Sequence, residues 1–264
     1  FPPSQGRYVE IALSAKEKLP GRFFLPGRSG SIKPAGAVVY VSDGGLPSMA
    51  LVGSLLQHRL AVLTVDLAGW GSLMPHRRGR YGLRRQFKGI EESLYIEEFY
   101  AAAYLLASGD SLPGLRTREV RAALTALIHQ LRKEEGYRDP EGPLRVGVLG
   151  QGRESAYYAM AVGALDDRVQ AVLALDGAPS LFRLLKTGQF PPTGLVAPGS
   201  LLLMNVPQLK AMVSPKPFLW LPRGGRQPGS SASGSRGWPE AVTRWVQLWM
   251  ADKKVASSSA SLNH

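Results

Sequence analysis

Apolar residues recur along this chain in short runs, and between the runs lie longer stretches whose apolar positions fall three and four residues apart. The runs at Ala37–Val41, Ala61–Val65, Val146–Leu149, Val169–Leu175 and Phe218–Leu221 are rich in β-branched residues, and Asp, Gly or Pro follows closely on each. Continuous apolar runs bounded by turn residues predict strands buried on both faces of a parallel sheet. Tyr8–Leu13 and Arg22–Leu25 predict an antiparallel hairpin leading into that sheet. Helical spacing predicts helices over Pro47–Gln57 and Tyr95–Ala107, through Val120, Leu124, Leu127, Ile128 and Leu131, over Ala156–Ala164, and through Val242, Trp245, Val246 and Trp249. The last of these opens Trp238-Pro239-Glu240, with Pro where a first turn tolerates it and Glu at the positive end of the helix. The order β-β-β-α-β-α-α-β-α-β-α-β-α predicts an open, mostly parallel α/β sheet covered on both faces, without internal repeats.

With 264 residues, 44% of them apolar, the chain can bury one substantial core, which excludes wholesale disorder. A single α/β domain over residues 1–252 is expected, with residues 222–237 as a flexible loop of Pro, Gly, Ser and Arg and residues 253–264 as a disordered tail. Apolar stretches such as Val172–Leu175 and Leu201–Met204 fall well short of the roughly 18 residues that cross a bilayer, so a soluble protein without a transmembrane segment is expected. The absence of cysteine excludes a disulfide framework, a thiol nucleophile and Cys-ligated zinc or iron–sulfur sites. The start, Phe1-Pro2-Pro3, has no initiator Met and is read as following a removed signal, transit segment or neighbouring domain.

The formal charge is +12, and it is unevenly placed: +9 over residues 1–90, −5 over 91–180 and +8 over 181–264. Arg77, Arg78, Arg80, Arg84, Arg85 and Lys88 form the densest basic run. One reading is a solvated loop neutralised by the following Glu91, Glu92, Glu97 and Glu98. The other is a docking patch for acidic protein subunits, RNA or anionic lipid. No aromatic-interleaved RNA-binding signature accompanies it.

Ligands of such sheets bind beyond the carboxyl ends of the strands, so chemistry is sought in Asp43-Gly44-Gly45, Asp66–Gly71, Gly150–Ser155, Asp176-Gly177 and Pro222–Gly225. Gly150-Gln151-Gly152 with Ser155 three residues on, and Asp176 about 20 residues later, fits a weak dinucleotide fingerprint. In the same frame Gly150-Gln151-Gly152-Arg153-Glu154 fits a nucleophile elbow, G-x-S-x-G, whose central residue here has no side chain. Ser155 lies about one helical turn beyond the apex, where its hydroxyl is expected to bond within the first turn, and Glu154 is read as a favourable charge at a helix start. His58 and His129 fall in helical patterns and are read as structural.

Val38–Gly45, Leu60–Gly71, Val146–Ser155, Asp166–Ser180 and Val206–Leu221, in that order, resemble the α/β-hydrolase superfamily, closest to its acetyl xylan esterase-like branch. The resemblance covers roughly residues 8–222 and implies a three-layer sandwich and a serine esterase with a Ser-His-acid triad and no cofactor or metal. Matched position by position, Gly152 takes the nucleophile's place and Asp43 that of a His before the oxyanion-loop glycines Gly44 and Gly45. No Asp or Glu follows the strand ending near Leu221 before Trp238, and beyond Leu221 the only His is His264. The chain has room for one further helix but not for the family's last strand and His loop. The resemblance therefore implies no catalytic residues, and a vestigial pocket of Asp43, Gly44, Gly45, Gly152, Arg153, Ser155 and Asp176. The expected function is a degenerate hydrolase acting as an interaction module or accessory subunit. The alternatives are a divergent esterase of small or carbohydrate esters, and small-ligand or nucleotide binding in the vestigial pocket. The family suggests a secreted protein, the basic composition and missing start a mitochondrial or other organellar one.

Overall fold

The computed structural model describes residues 6–14, 17–27, 32–73, 92–134, 144–177, 180–187, 192–195, 197, 205–222 and 238–251. The basic run from Arg77 to Lys88, the expected loop beyond Pro222 and the expected tail lie outside the described residues. The strands are β1 (Arg7–Ala12), β2 (Lys18–Phe24), β3 (Gly36–Ser42), β4 (Leu60–Val65), β5 (Val146–Gln151), β6 (Ala171–Gly177) and β7 (Phe218–Pro222). The helices are α1 (Met49–Gln57), α2 (Glu92–Ala107), α3 (Leu112–Lys133), α4 (Ser155–Leu165), α5 (Leu181–Lys186), α6 (Val206–Val213) and α7 (Trp238–Ala251). Each strand and helix expected from periodicity is present. The short helices α5 and α6 lie in the stretch between β6 and β7, where the pattern did not resolve them. They are capped by the polar side chains of Ser180 and Asn205, which accept from Arg183 N and Val206 N.

The strands form one sheet in the order β1-β2-β4-β3-β5-β6-β7. β1 and β2 pair antiparallel and join β4 antiparallel, whereas β4, β3, β5, β6 and β7 run parallel. The parallel strands must be covered on both sides, and their side chains divide by the two-residue period of a strand. Val39, Val41 and Val148 face a core shared with Val120, Leu124 and Leu127 of α3 and Tyr158 and Met160 of α4. Val38, Tyr40 and Leu149 face the opposite core, shared with Leu51, Val52 and Leu55 of α1 and Trp245 and Trp249 of α7. All strand C-termini of the parallel set therefore emerge at one end, where the loops after β3, β4 and β5 meet. α7 lies over a sheet face beside α1, and among the described residues β7 pairs only with β6.

No described helix is long and apolar enough to cross a membrane. In the second core Trp245 is fully buried, and its ring leaves so little room over β5 that a Cβ on Gly147 would come to 3.0 Å. Trp245→Ala is expected to lower unfolding free energy by about 3–5 kcal/mol in urea titrations. Leu248→Ala, on the half-exposed side of the same helix, should change it by less than about 0.5 kcal/mol.

Candidate functional site

The turn from β5 to α4 is built around two glycines. At Gly150 the first turn of α4 returns so closely that a Cβ would stand 2.0 Å from the Ser155 carbonyl oxygen. At Gly152 the backbone takes φ +119, a conformation that L side chains rarely adopt, while its N–H donates to Leu175 O on β6 at 2.9 Å. Opposite this turn β3 runs into a short 3-10 turn, Asp43–Gly45, whose two glycines both have φ +71. The Asp43 carboxylate reaches across it. Ser155 N and Ser155 Oγ both donate to Asp43 Oδ1 at 2.8 Å, and Glu154 N donates to Oδ2 at 3.3 Å. An acidic side chain thus caps a helix whose own N-cap residue, Glu154, makes no side-chain cap bond.

The same carboxylate fills the space over the turn. A Cβ on Gly152 would lie 2.2 Å from Asp43 Cγ and 2.4 and 2.6 Å from its oxygens. Of the expected pocket residues, Asp43, Gly152 and Ser155 therefore meet in one contact, and Gly44 and Arg153 flank it. Gly45 faces the β4 loop, where a Cβ would stand 2.6 Å from Gly71. Asp176 sits at a bulge near the end of β6 with φ +55. The Ser155 hydroxyl bonds Asp43 and not its own first turn, a correction that follows from a stronger, charged acceptor standing within reach. His58 donates to or accepts from Thr243 Oγ1 at 3.0 Å, and His129 is exposed on α3. Both lie toward the C-terminal ends of their helices, at the end of the sheet opposite this turn.

Beside the turn lies a buried charge cluster that periodicity did not single out. Arg116 of α3 is fully buried. Its guanidinium donates to Glu154 Oε2 at 2.8 Å, to Glu98 Oε1, and to Ala68 O from Nε at 3.1 Å and Nη2 at 2.9 Å, while its plane lies 4.2 Å from the Trp70 ring centroid. Trp70 Nε1 also donates to Glu98 Oε1 at 2.9 Å, and Glu119 accepts from Ala68 N at 2.9 Å. The Tyr158 hydroxyl stands 2.9 Å from Glu154 Oε2 and 2.7 Å from Gly194 O, either of which can take its proton. Glu154 is thus an ion-pair partner of Arg116 rather than a solvated charge at a helix start, because its side chain turns inward. The signal was present in the sequence: Arg116 and Glu119 fall four residues before the buried Val120 and Ala123.

Burial pushes the Glu154 carboxyl upward, helped by the Glu98 and Asp43 charges and opposed by Arg116. Burial likewise pushes Glu119 up to about 7, against the bond from Ala68 N and the attraction of Arg116. The described residues hold no group of three or more His, Cys, Asp or Glu able to bind a metal ion.

No family model matches this chain, and no curated protein matches it. Solved structures do. A candidate acetyl xylan esterase from Bacteroides fragilis superposes with a TM-score of 0.57 at 16% identity, over 83% of this chain and 62% of that one. This chain spans about three-fifths of that protein's length. Dienelactone hydrolase from Anabaena variabilis aligns over 95% of this chain and 98% of that one (18% identity, TM-score 0.47). Glucuronoyl esterase from Solibacter usitatus aligns over 92% and 68% (17% identity, TM-score 0.47). The chain has the α/β-hydrolase fold. In the α/β-hydrolase fold a sharp strand-to-helix turn exposes the nucleophile above the sheet, and the N–H of the next residue contributes to the oxyanion hole. The corresponding turn here has Gly152 at its apex and the Asp43 carboxylate above it.

A carboxyl whose pKa is raised by folding binds its proton more tightly in the native state, so it lowers stability as pH rises from its unfolded value, 4.5, through its folded one. Glu119→Gln retains an acceptor for Ala68 N and removes that titration. Thermal or urea unfolding should find the variant close to the parent at pH 4.5 and more stable by about 1–3 kcal/mol at pH 8.

Proposed function

We propose that this protein is a catalytically degenerate α/β-hydrolase, nearest in kind to the acetyl xylan esterase-like branch, that serves as an interaction module or accessory subunit of a larger assembly. In this reading residues 1–252 form one domain, with 222–237 as a loop and 253–264 as a tail. The observation that carries it is the seat of the Asp43 carboxylate over Gly152. A serine at the apex would collide with that carboxylate. The helix-start N–H groups that stabilise developing negative charge in an active hydrolase here hold a resident anion, and an incoming oxyanion would meet a like charge. The same charge opposes a pyrophosphate at this helix start, so the nucleotide-binding reading draws no support from the site.

The divergent-esterase reading rests on one contact, the Ser155 hydroxyl donating to Asp43 at 2.8 Å, which has the form of a nucleophile and base. Against it, Ser155 is fully buried, so a substrate carbonyl has no approach to Oγ. The basic charge of the chain and the run from Arg77 to Lys88 support acidic protein subunits as partners, with RNA and anionic lipid as the other chemistries that such a charge attracts.

The purified chain should show no labelling by a fluorophosphonate and no p-nitrophenyl acetate turnover above a denatured control. Turnover abolished by Ser155→Ala would establish the esterase and end the degenerate reading. Gly152→Ser should gain no turnover and should unfold at lower denaturant than the parent. In native extract, size exclusion with light scattering should find the chain at a mass well above its own 28.5 kDa.

A further inference from the structure

Among the described residues, α1 and α7 cover one sheet face, and no helix covers it toward the β1–β2 hairpin. Cross-strand register places Tyr8 opposite Arg22, and Arg22 opposite Thr64. The loops after β3 and β4 bring Leu46, Met49, Asp66 and Ser72 against that row, enclosing a cleft of about 380 Å³. It lies to the side of the β5–α4 turn and shares none of Asp43, Gly152 or Ser155.

Three observations give the cleft a chemistry. Leu46, Met49 and Tyr8 leave 79%, 41% and 62% of their surfaces in water, and they line the same space. The Arg22 guanidinium has no hydrogen bond or ion pair among the described residues. Asp66 uses Oδ2 to accept from Ser72 N at 2.9 Å and Ser72 Oγ at 2.8 Å, leaving Oδ1 without a hydrogen bond among those residues. Opposite charges thus line one cleft too far apart to pair with each other. Asp66 is also held in place: a Cβ on Gly71, at φ +56, would strike its Cγ at 2.3 Å, and one on Gly45 would stand 2.9 Å from Oδ1.

We propose that this cleft binds a free α-amino acid with an apolar side chain, its carboxylate on Arg22, its ammonium on Asp66 and its side chain over Leu46 and Met49. A guanidinium matches a carboxylate in a bidentate, charge-assisted pair, and a fixed carboxylate oxygen accepts from an ammonium. The apolar wall rewards a side chain that leaves water. The volume lies in the range of small-ligand pockets and accommodates a leucine or phenylalanine. The site is independent of whether the β5–α4 turn retains catalysis.

Calorimetric titration of the full chain with L-leucine and L-phenylalanine tests this, with leucinamide and 4-methylvalerate as ligands lacking the carboxylate or the ammonium. At least one amino acid should bind and raise the melting temperature in proportion to the logarithm of its concentration. Leucinamide and 4-methylvalerate should each bind at least about tenfold more weakly, and Arg22→Gln and Asp66→Asn should each weaken the amino acid by at least about tenfold. Should Asp66→Asn fail to fold, the exposed Arg22→Gln decides alone. Absence of binding by both amino acids, undiminished affinity in Arg22→Gln, or equal affinity for 4-methylvalerate would overturn the assignment.

Discussion

Glu154, through both its backbone and its side chain, joins the three loops at the carboxyl end of the parallel strands. Its N–H donates to Asp43 after β3, and its carboxyl receives the guanidinium that also grips the Ala68 carbonyl after β4. Parallel strands deliver their loops to one end, but nothing in strand pairing holds those loops together once the ladder stops. A buried ion pair does so at a cost in desolvation, and removing one partner would leave the other charge stranded in the interior. Tyr158, Trp70 and Glu98 complete the shell around Arg116, so each of its donors is met. The loops after β3, β4 and β5, together with α2, α3 and α4, are thereby fixed relative to one another.

That rigidity bears on the chemistry the fold can host. An α/β-hydrolase turn works because the helix start it opens is free to stabilise charge that appears during reaction. Here the helix start is permanently occupied by Asp43, and the close approach that seats its carboxylate requires the residue beneath to be glycine. The glycine at position 152 and the seat of Asp43 are therefore one structural solution. A second consequence lies on the other side of the same end. The loop glycines Gly45 and Gly71 crowd the Asp66 carboxylate, which lines a cleft beside the β1–β2 hairpin.

The sheet, its hairpin and the long helices were legible because periodicity reports burial locally: a run such as Val38–Val41 can only be a strand buried on both sides, and a stripe such as Val120–Leu124–Leu127 only a helix face. The apex glycine of the β5–α4 turn was legible for the same local reason. Less was visible of what fills the turn. Asp43 and Ser155 are 112 residues apart, and Arg116 and Ala68 are 48 apart. Their charges read as ordinary loop and helix polarity until the chain brought them together. Arg116 and Glu119 were the one hint, since charged residues at core spacing announce a buried partner without naming it.

By itself the sequence determined the class of fold, the two-sided burial of the parallel strands, the absence of a side chain at the apex and the excess of positive charge. These depend on side-chain type and spacing, which act over a turn of helix or a pair of strand residues. Only the tertiary structure decided that Asp43 caps α4, that Arg116 ties three loops into one body, and that Arg22 and Asp66 line one cleft. Those outcomes depend on which strand lies beside which and where their loops end, and the direction of a charge in space is set by packing that no local pattern records.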